Sequence, residues 1–148
     1  PPRSTTAARH GMLSPRALLC PLKRALEADG HEVHLFSSWP TLTVFQYRDL
    51  LAQLRTEGPA VVIGHSLGGF ITVLAAERRP DLFTAVIGLD PAINGRKVEL
   101  ECPYYEARGV VSRILHVDRA DAFRASSWHG TVPLEPGVIK WVRGLLQR

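Results

Sequence analysis

Cysteine is scarce in this chain of 148 residues: Cys20 and Cys102 stand far apart. They form none of the common zinc or dithiol spacings, so both read as buried thiols. No apolar run approaches the 18 or more residues that a membrane-crossing helix needs, so no membrane span is expected. Nor does Pro1-Pro2-Arg3-Ser4-Thr5-Thr6 carry the apolar centre of a secretory signal. The compartment stays open, with the cytoplasm favoured over secretion after removal of a signal. Lysine and arginine number 18 against 14 acidic residues, yet they are scattered as pairs: Lys23-Arg24, Arg78-Arg79, Arg96-Lys97. Without a basic run interleaved with aromatics, no nucleic-acid partner is expected. Internal repeats and low-complexity segments are missing too. With 45% hydrophobic and 22% charged residues, the chain suits one domain over residues 1–148.

What is present is an alternation of two hydrophobic periods. Residues 4–9 form a weak strand candidate that ends at His10-Gly11-Met12. Ser14 then offers a cap and Pro15 a first helical position. Leu18, Leu19, Leu22, Ala25 and Leu26 follow at helical spacing up to Gly30. A short strand over residues 31–36 comes next, then a loop with Trp39-Pro40. Val44, Tyr47, Leu50, Leu51 and Leu54 mark a second helix, closed by Gly58-Pro59. Residues 60–63 read as a strand, Ile71, Leu74, Ala75 and Arg78 as a helix running to Pro80, and residues 85–89 as a strand ending at Asp90-Pro91. Residues 92–110 look polar and irregular. Residues 110–117 read as a further strand, and residues 118–133 as a loop with at most a short extended piece. A last helix starts at Pro136 and carries Val138, Ile139, Val142, Leu145 and Leu146 on one face. Such alternation predicts an α/β fold, a mostly parallel sheet of about five or six strands with helices on both faces. Ligands of such sheets bind beyond the carboxyl ends of the strands.

One stretch at such a strand end organises the rest: Gly64-His65-Ser66-Leu67-Gly68. G-x-S-x-G arises by chance in roughly one chain in twenty of this length. Here an apolar strand precedes it and a helix follows. That is the layout of a nucleophile elbow, in which a serine in a strained turn lifts its hydroxyl clear of the sheet. An ordinary strand–helix turn would use the glycines only for the bend.

A serine hydroxyl attacks only when a base takes its proton, and a carboxylate must orient that base. His129, in the loop before the last helix, is the expected base. His116 lies inside an apolar run, His65 occupies the elbow's variable, packing position, and His31 and His34 have no evident partner. Asp121 is the expected acid. Asp90, at the end of a strand nearer to Ser66, is the alternative, and Asp118 a third candidate. Asp121 and His129 stand only eight positions apart, too close for a helical crossover between them. Acid and base would then share one folded-back loop. Leu67 would supply one N–H to a developing oxyanion and Met12, at the first strand–helix turn, the other.

Taken in order, His10-Gly11-Met12, the glycine-framed Ser66, Leu89-Asp90-Pro91-Ala92, Asp121 and His129 resemble the α/β-hydrolase superfamily. The likeness covers nearly all of residues 9–148 and is greatest to the small, cap-less bacterial esterases and lipases. It implies a triad of Ser66, an aspartate and His129, an acyl-enzyme and no cofactor or metal; Asp121 is the expected acid, and residues 92–110, too short for a cap domain, suit an open site for a small-molecule ester of small to medium acyl length. Leu89-Asp90-Pro91-Ala92 also resembles the acid's position in pancreatic-type lipases. Two departures stand out. The strands that usually precede the first oxyanion turn are missing, and the segment between Asp121 and His129 is short. Thioester or amide cleavage by the same groups is the alternative activity. A non-catalytic binding module on the same fold is the alternative from another class. A histidine base predicts a rate that falls on the acid side as the imidazole protonates.

Overall fold

Every residue of Ala60–His65 is buried, and that fact sets the architecture. A strand apolar on both faces needs a layer of helices on each side. The computed structural model, which describes residues 9–13, 16–36, 44–93, 97–115 and 121–147, supplies both layers. Its elements are β1 (Arg9–Leu13), α1 (Arg16–Ala28), β2 (Glu32–Phe36), α2 (Tyr47–Glu57), β3 (Ala60–His65), α3 (Leu67–Arg78), β4 (Phe83–Leu89), β5 (Tyr104–Arg108), α4 (Val110–Leu115), β6 (Phe123–Arg124) and α5 (Pro136–Leu146). The six strands pair in the order β2-β1-β3-β4-β5-β6, every pair parallel. The chain runs out from β1 to the edge at β2, then returns across β1 to β3. The order therefore reverses between β1 and β3, and a ligand crevice forms above such a switch point.

Side chains alternate along β3 and divide the interior in two. Val61 and Ile63 join Ala85, Ile87 and Leu89 of β4 beneath α1 and α5, with Leu19, Leu22, Leu26, Val138 and Val142. Ala60 and Val62 join Val73, Ala75 and Ala76 of α3 and Leu50, Leu51 and Leu54 of α2 on the other face. Each fully buried valine, leucine or isoleucine among these contributes about 1.5–3 kcal/mol from removal of apolar surface from water. Helix α3 is apolar nearly all round, as a helix enclosed between layers must be. A paired contact from Arg143 to Asp29, at 2.6 and 2.7 Å, ties α5 to the end of α1.

The sheet matches the expected one in number and direction, but three assignments change. The first strand is Arg9–Leu13, so Met12 lies within it rather than in the turn after it. Tyr104–Arg108, read as irregular, is a strand. Val110–Leu115, read as a strand, is a short helix. Ser14, Pro15, Trp39, His116 and Asp118 lie outside the described residues. Cys20 and Cys102 are half-buried and form no disulfide. Among the described residues no helix is long and apolar enough to cross a membrane.

Candidate active site

Ser66 lies between the end of β3 and the first turn of α3, with φ 56° and ψ −122°. A side chain in that region costs about 1–3 kcal/mol, so the surroundings must enforce it. They do so through the backbone. Ser66 N–H donates to the Leu89 carbonyl at 3.2 Å, and its own carbonyl accepts from Ala92 N–H at 2.9 Å and Gly69 N–H at 3.1 Å. Close approach explains two of the glycines. A Cβ on Gly64 would collide with the Gly68 carbonyl, and one on Gly69 would lie 2.5 Å from the Pro91 side chain. Helix α3 can therefore start directly against the ends of β3 and β4.

Asp90, the residue after β4, also has positive φ, 47°. Its N–H donates to the Ala107 carbonyl at 2.7 Å. Its carboxylate is 1% exposed and accepts from two directions. Gly109 N–H donates to Oδ1 at 3.2 Å, and His129 Nδ1–H donates to Oδ2 at 2.6 Å. A carboxylate only accepts, so Nδ1 carries the imidazole proton and Nε2 is left as an acceptor. Ser66 Oγ lies 2.7 Å from that Nε2, in position to donate to it. Ser66, His129 and Asp90 thus form one continuous chain of hydrogen bonds.

The carboxylate beside His129 is not the one first expected. Asp121 is an exposed residue in the turn before β6, at the edge of the sheet, two strands beyond β4. The sequence alternative, Asp90, occupies His129 Nδ1 instead. The reason is the path of the histidine loop. After β6 the chain folds back over β5: Ala125 N–H donates to the Arg108 carbonyl, and Val110 N–H to the Ser127 carbonyl. That return carries His129 over the end of β4 and away from Asp121. Asp90 and His129 come from different parts of the sheet, so no single loop has to place them side by side.

Three groups that sequence reasoning did not single out shape the loop. Glu135 accepts from Ser126 N–H, Ser127 N–H and Ser127 Oγ–H, the last at 2.6 Å, and so closes the loop three residues before His129. Gly109 is tightly enclosed: a Cβ there would sit 3.0 Å from the Ser127 carbonyl and 3.1 Å from Asp90 Oδ2, so both would have to give by a few tenths of an ångström. His65, taken as a packing residue, is buried and donates from Nε2–H to the His129 carbonyl at 2.8 Å. Burial holds its imidazole below histidine's ordinary pKa.

Of the two expected N–H donors, Leu67 opens α3, where a helix leaves its first N–H groups without partners inside the helix. Met12 lies in β1 opposite Leu35 on one side and Ile63 on the other, and Leu13 ends the strand opposite Gly64. The crevice is open, since 43% of the His129 side chain is exposed and Trp128 beside it is exposed. Among the described residues no group of three or more His, Cys, Asp or Glu side chains is gathered to hold a metal ion.

A parallel sheet between two helical layers, with a strained serine at a strand–helix turn, defines a hydrolase-type α/β protein. The chain belongs to the alpha/beta hydrolase family, whose model matches residues 8–146. Lipase LipV of Mycobacterium tuberculosis is 49% identical over 37 residues, 25% of this chain and 14% of the lipase. Monoglyceride lipase of Rattus norvegicus is 42% identical over 52 residues, 31% of this chain and 17% of that enzyme. The matches thus span less than a fifth of either curated relative. Among solved structures, MGS-MChE2, an α/β hydrolase enzyme from the metagenome of lagoon sediments at Mar Chica, Morocco, superimposes with a TM-score of 0.71. That likeness covers 95% of this chain and 89% of the other at 14% identity, and is one of fold.

Proposed function

We propose that the protein is a serine hydrolase that cleaves carboxylic esters of small to medium acyl chains, with Ser66 as nucleophile, His129 as general base and Asp90 as the acid of the triad. The observation that carries this reading is the unbroken Ser66–His129–Asp90 chain, with links of 2.7 and 2.6 Å. In the reaction, His129 Nε2 takes the Ser66 proton as Oγ attacks the ester carbonyl carbon. The imidazolium that forms is held by the buried Asp90 carboxylate. Charge that develops on the carbonyl oxygen meets the Leu67 N–H and the positive end of the α3 dipole. Met12, the sequence candidate for a second donor, lies within β1 between β2 and β3, one residue short of the strand's end. His129 then returns the proton to the leaving alkoxide, which departs as the alcohol, and activates a water to release the acid.

The partial matches to two lipases support an ester substrate, and the exposure of His129 supports an open site. The test is hydrolysis of p-nitrophenyl butyrate by the wild type and by Ser66→Ala. Turnover by the wild type and background rate for Ser66→Ala are expected. Equal rates, or no turnover by either, would remove the nucleophile. Oxygen esters and thioesters of the same acyl group, assayed side by side, identify the bond class.

A further inference from the structure

We infer that His65 is a positioning residue: its Nε2–H grips the carbonyl of His129 and fixes the height of the base above Ser66. This rests on the proposed role of His129 and extends it to the elbow's variable position. His65 belongs to the face of β3 that carries Val61 and Ile63, the face on which Val132 of the His129–Leu134 turn also packs. It is 4% exposed, its Nε2 stands 2.8 Å from the His129 carbonyl oxygen, and the two rings lie 5.2 Å apart.

His129 has to satisfy two demands at once. Its Nδ1 is held by Asp90 at the end of β4, and its Nε2 must meet Ser66 at the end of β3. The ring bonds fix orientation around those two points. The carbonyl bond fixes the backbone from which the ring hangs. Because His65 immediately precedes Ser66, nucleophile and base take their positions from a single turn of backbone. A shift of that turn carries both together, and their 2.7 Å separation survives it. Without the His65 bond, the 129–134 turn would lose its hydrogen bond to the strand that carries Ser66 and keep only the packing of Val132 and the bonds of the imidazole ring. A misplacement of about 1 Å costs about a hundredfold in rate.

The test uses three substitutions of His65 in the full chain, with kcat and KM measured on p-nitrophenyl butyrate. His65→Phe fills the space and removes the donor. His65→Gln carries an amide N–H at a similar reach. His65→Asn keeps the amide but falls short of the carbonyl. His65→Phe and His65→Asn are expected to lower kcat about 10- to 100-fold with KM within twofold, and to slow phosphonylation of Ser66 by a small fluorophosphonate in the same proportion. His65→Gln is expected to recover most of the loss. In a His129→Ala background, His65→Phe should leave the residual rate unchanged. Where His65→Phe does not fold, the Asn and Gln pair carries the comparison. Wild-type kcat in both His65→Phe and His65→Asn, with His129→Ala inactive, overturns the positioning role alone. A loss in His65→Gln equal to that in His65→Asn overturns it too. A fully active His129→Ala, or an inactive wild type, overturns the underlying reading of His129.

Discussion

Replacing Asp90 by asparagine separates the two carboxylates that compete for the role of acid. The substitution keeps the shape of a side chain that is 1% exposed, so the fold has no cavity to absorb. What changes is charge and hydrogen-bond polarity. Asp90 now accepts from two donors, Gly109 N–H and His129 Nδ1–H. An amide has one oxygen and one NH2. If the oxygen serves Gly109, the NH2 faces Nδ1, and the imidazole must turn its proton to Nε2, where it can no longer receive the Ser66 proton. If the oxygen serves His129, the NH2 faces Gly109 N–H, donor against donor. In either arrangement the imidazolium formed during attack loses its counter-charge. Loss of the carboxylate of a Ser-His-Asp triad typically lowers kcat about 10⁴-fold, or about 5.5 kcal/mol at 1.36 kcal/mol per decade. Asp121→Asn, at an exposed turn on the far side of β5, is expected to stay within twofold of wild type. The assay is p-nitrophenyl butyrate turnover for both variants, with thermal unfolding to show that each is folded. A folded Asp90→Asn within tenfold of wild type would refute the reasoning, and an Asp121→Asn that loses a thousandfold would restore the first expectation.

Other substitutions test the supports of the site. Gly109→Ala introduces a methyl 3.0 Å from the Ser127 carbonyl and 3.1 Å from Asp90 Oδ2, and is expected to lower kcat at least tenfold while Tm falls by only a few degrees. Glu135→Gln removes the charge that three donors of the Ser126–Ser127 segment share; charge-assisted bonds of this kind contribute about 1.5–3 kcal/mol, so both Tm and activity should fall, in contrast to a change at an exposed residue such as Glu101→Gln. Ser66→Gly should unfold at higher temperature than Ser66→Ala: relief of about 1–3 kcal/mol of backbone strain outweighs about 0.5–1 kcal/mol of added unfolded-state entropy, and differential scanning calorimetry reads the difference. The buried, neutral His65 makes stability depend on pH. Its folded pKa lies below histidine's ordinary value, so the unfolded chain takes up the proton first as pH falls through about 6.5. The stability this contributes is complete above that value and is lost toward the lowered folded pKa. Chemical denaturation of His65→Phe at pH 7 and pH 5 should show a smaller drop than wild type; an equal drop would contradict the burial argument.

The first half of the chain wrote its structure into its hydrophobic periods. Leu19, Leu22 and Leu26 set α1 against the sheet, Leu50, Leu51 and Leu54 did the same for α2, and the apolar run before Ser66 is β3. The stretch between β4 and α5 did not, for identifiable reasons. Strand β5 reads as polar because Tyr104, Glu106 and Arg108 share one of its faces. Glu106 and Arg108 are buried as an ion pair, with Arg108 Nε donating to Glu106 Oε2 at 2.9 Å and Tyr104 Oη to Oε1 at 2.9 Å. A hydropathy pattern counts such charges as exposed. Val110 and Val111, β-branched and next to Ile114, read as a strand, although the chain turns there into a six-residue helix. Tertiary context overrode propensity at that point. An expected strand over residues 110–117 puts Asp121 just beyond its end, whereas Val110–Leu115 is helical. Asp90 was legible as a strand-end residue before Pro91, and the choice between the two depended on a loop path that residue spacing does not encode. The role of His65 left no periodic trace, because a buried histidine and a packing residue look alike in a pattern.

Positive φ outside glycine falls, among the described residues, at Ser66 and Asp90, the two positions at the ends of neighbouring strands. Both are places where the backbone would be more comfortable with no side chain at all. At Ser66 the hydroxyl is kept at a cost of about 1–3 kcal/mol of backbone strain that glycine would escape.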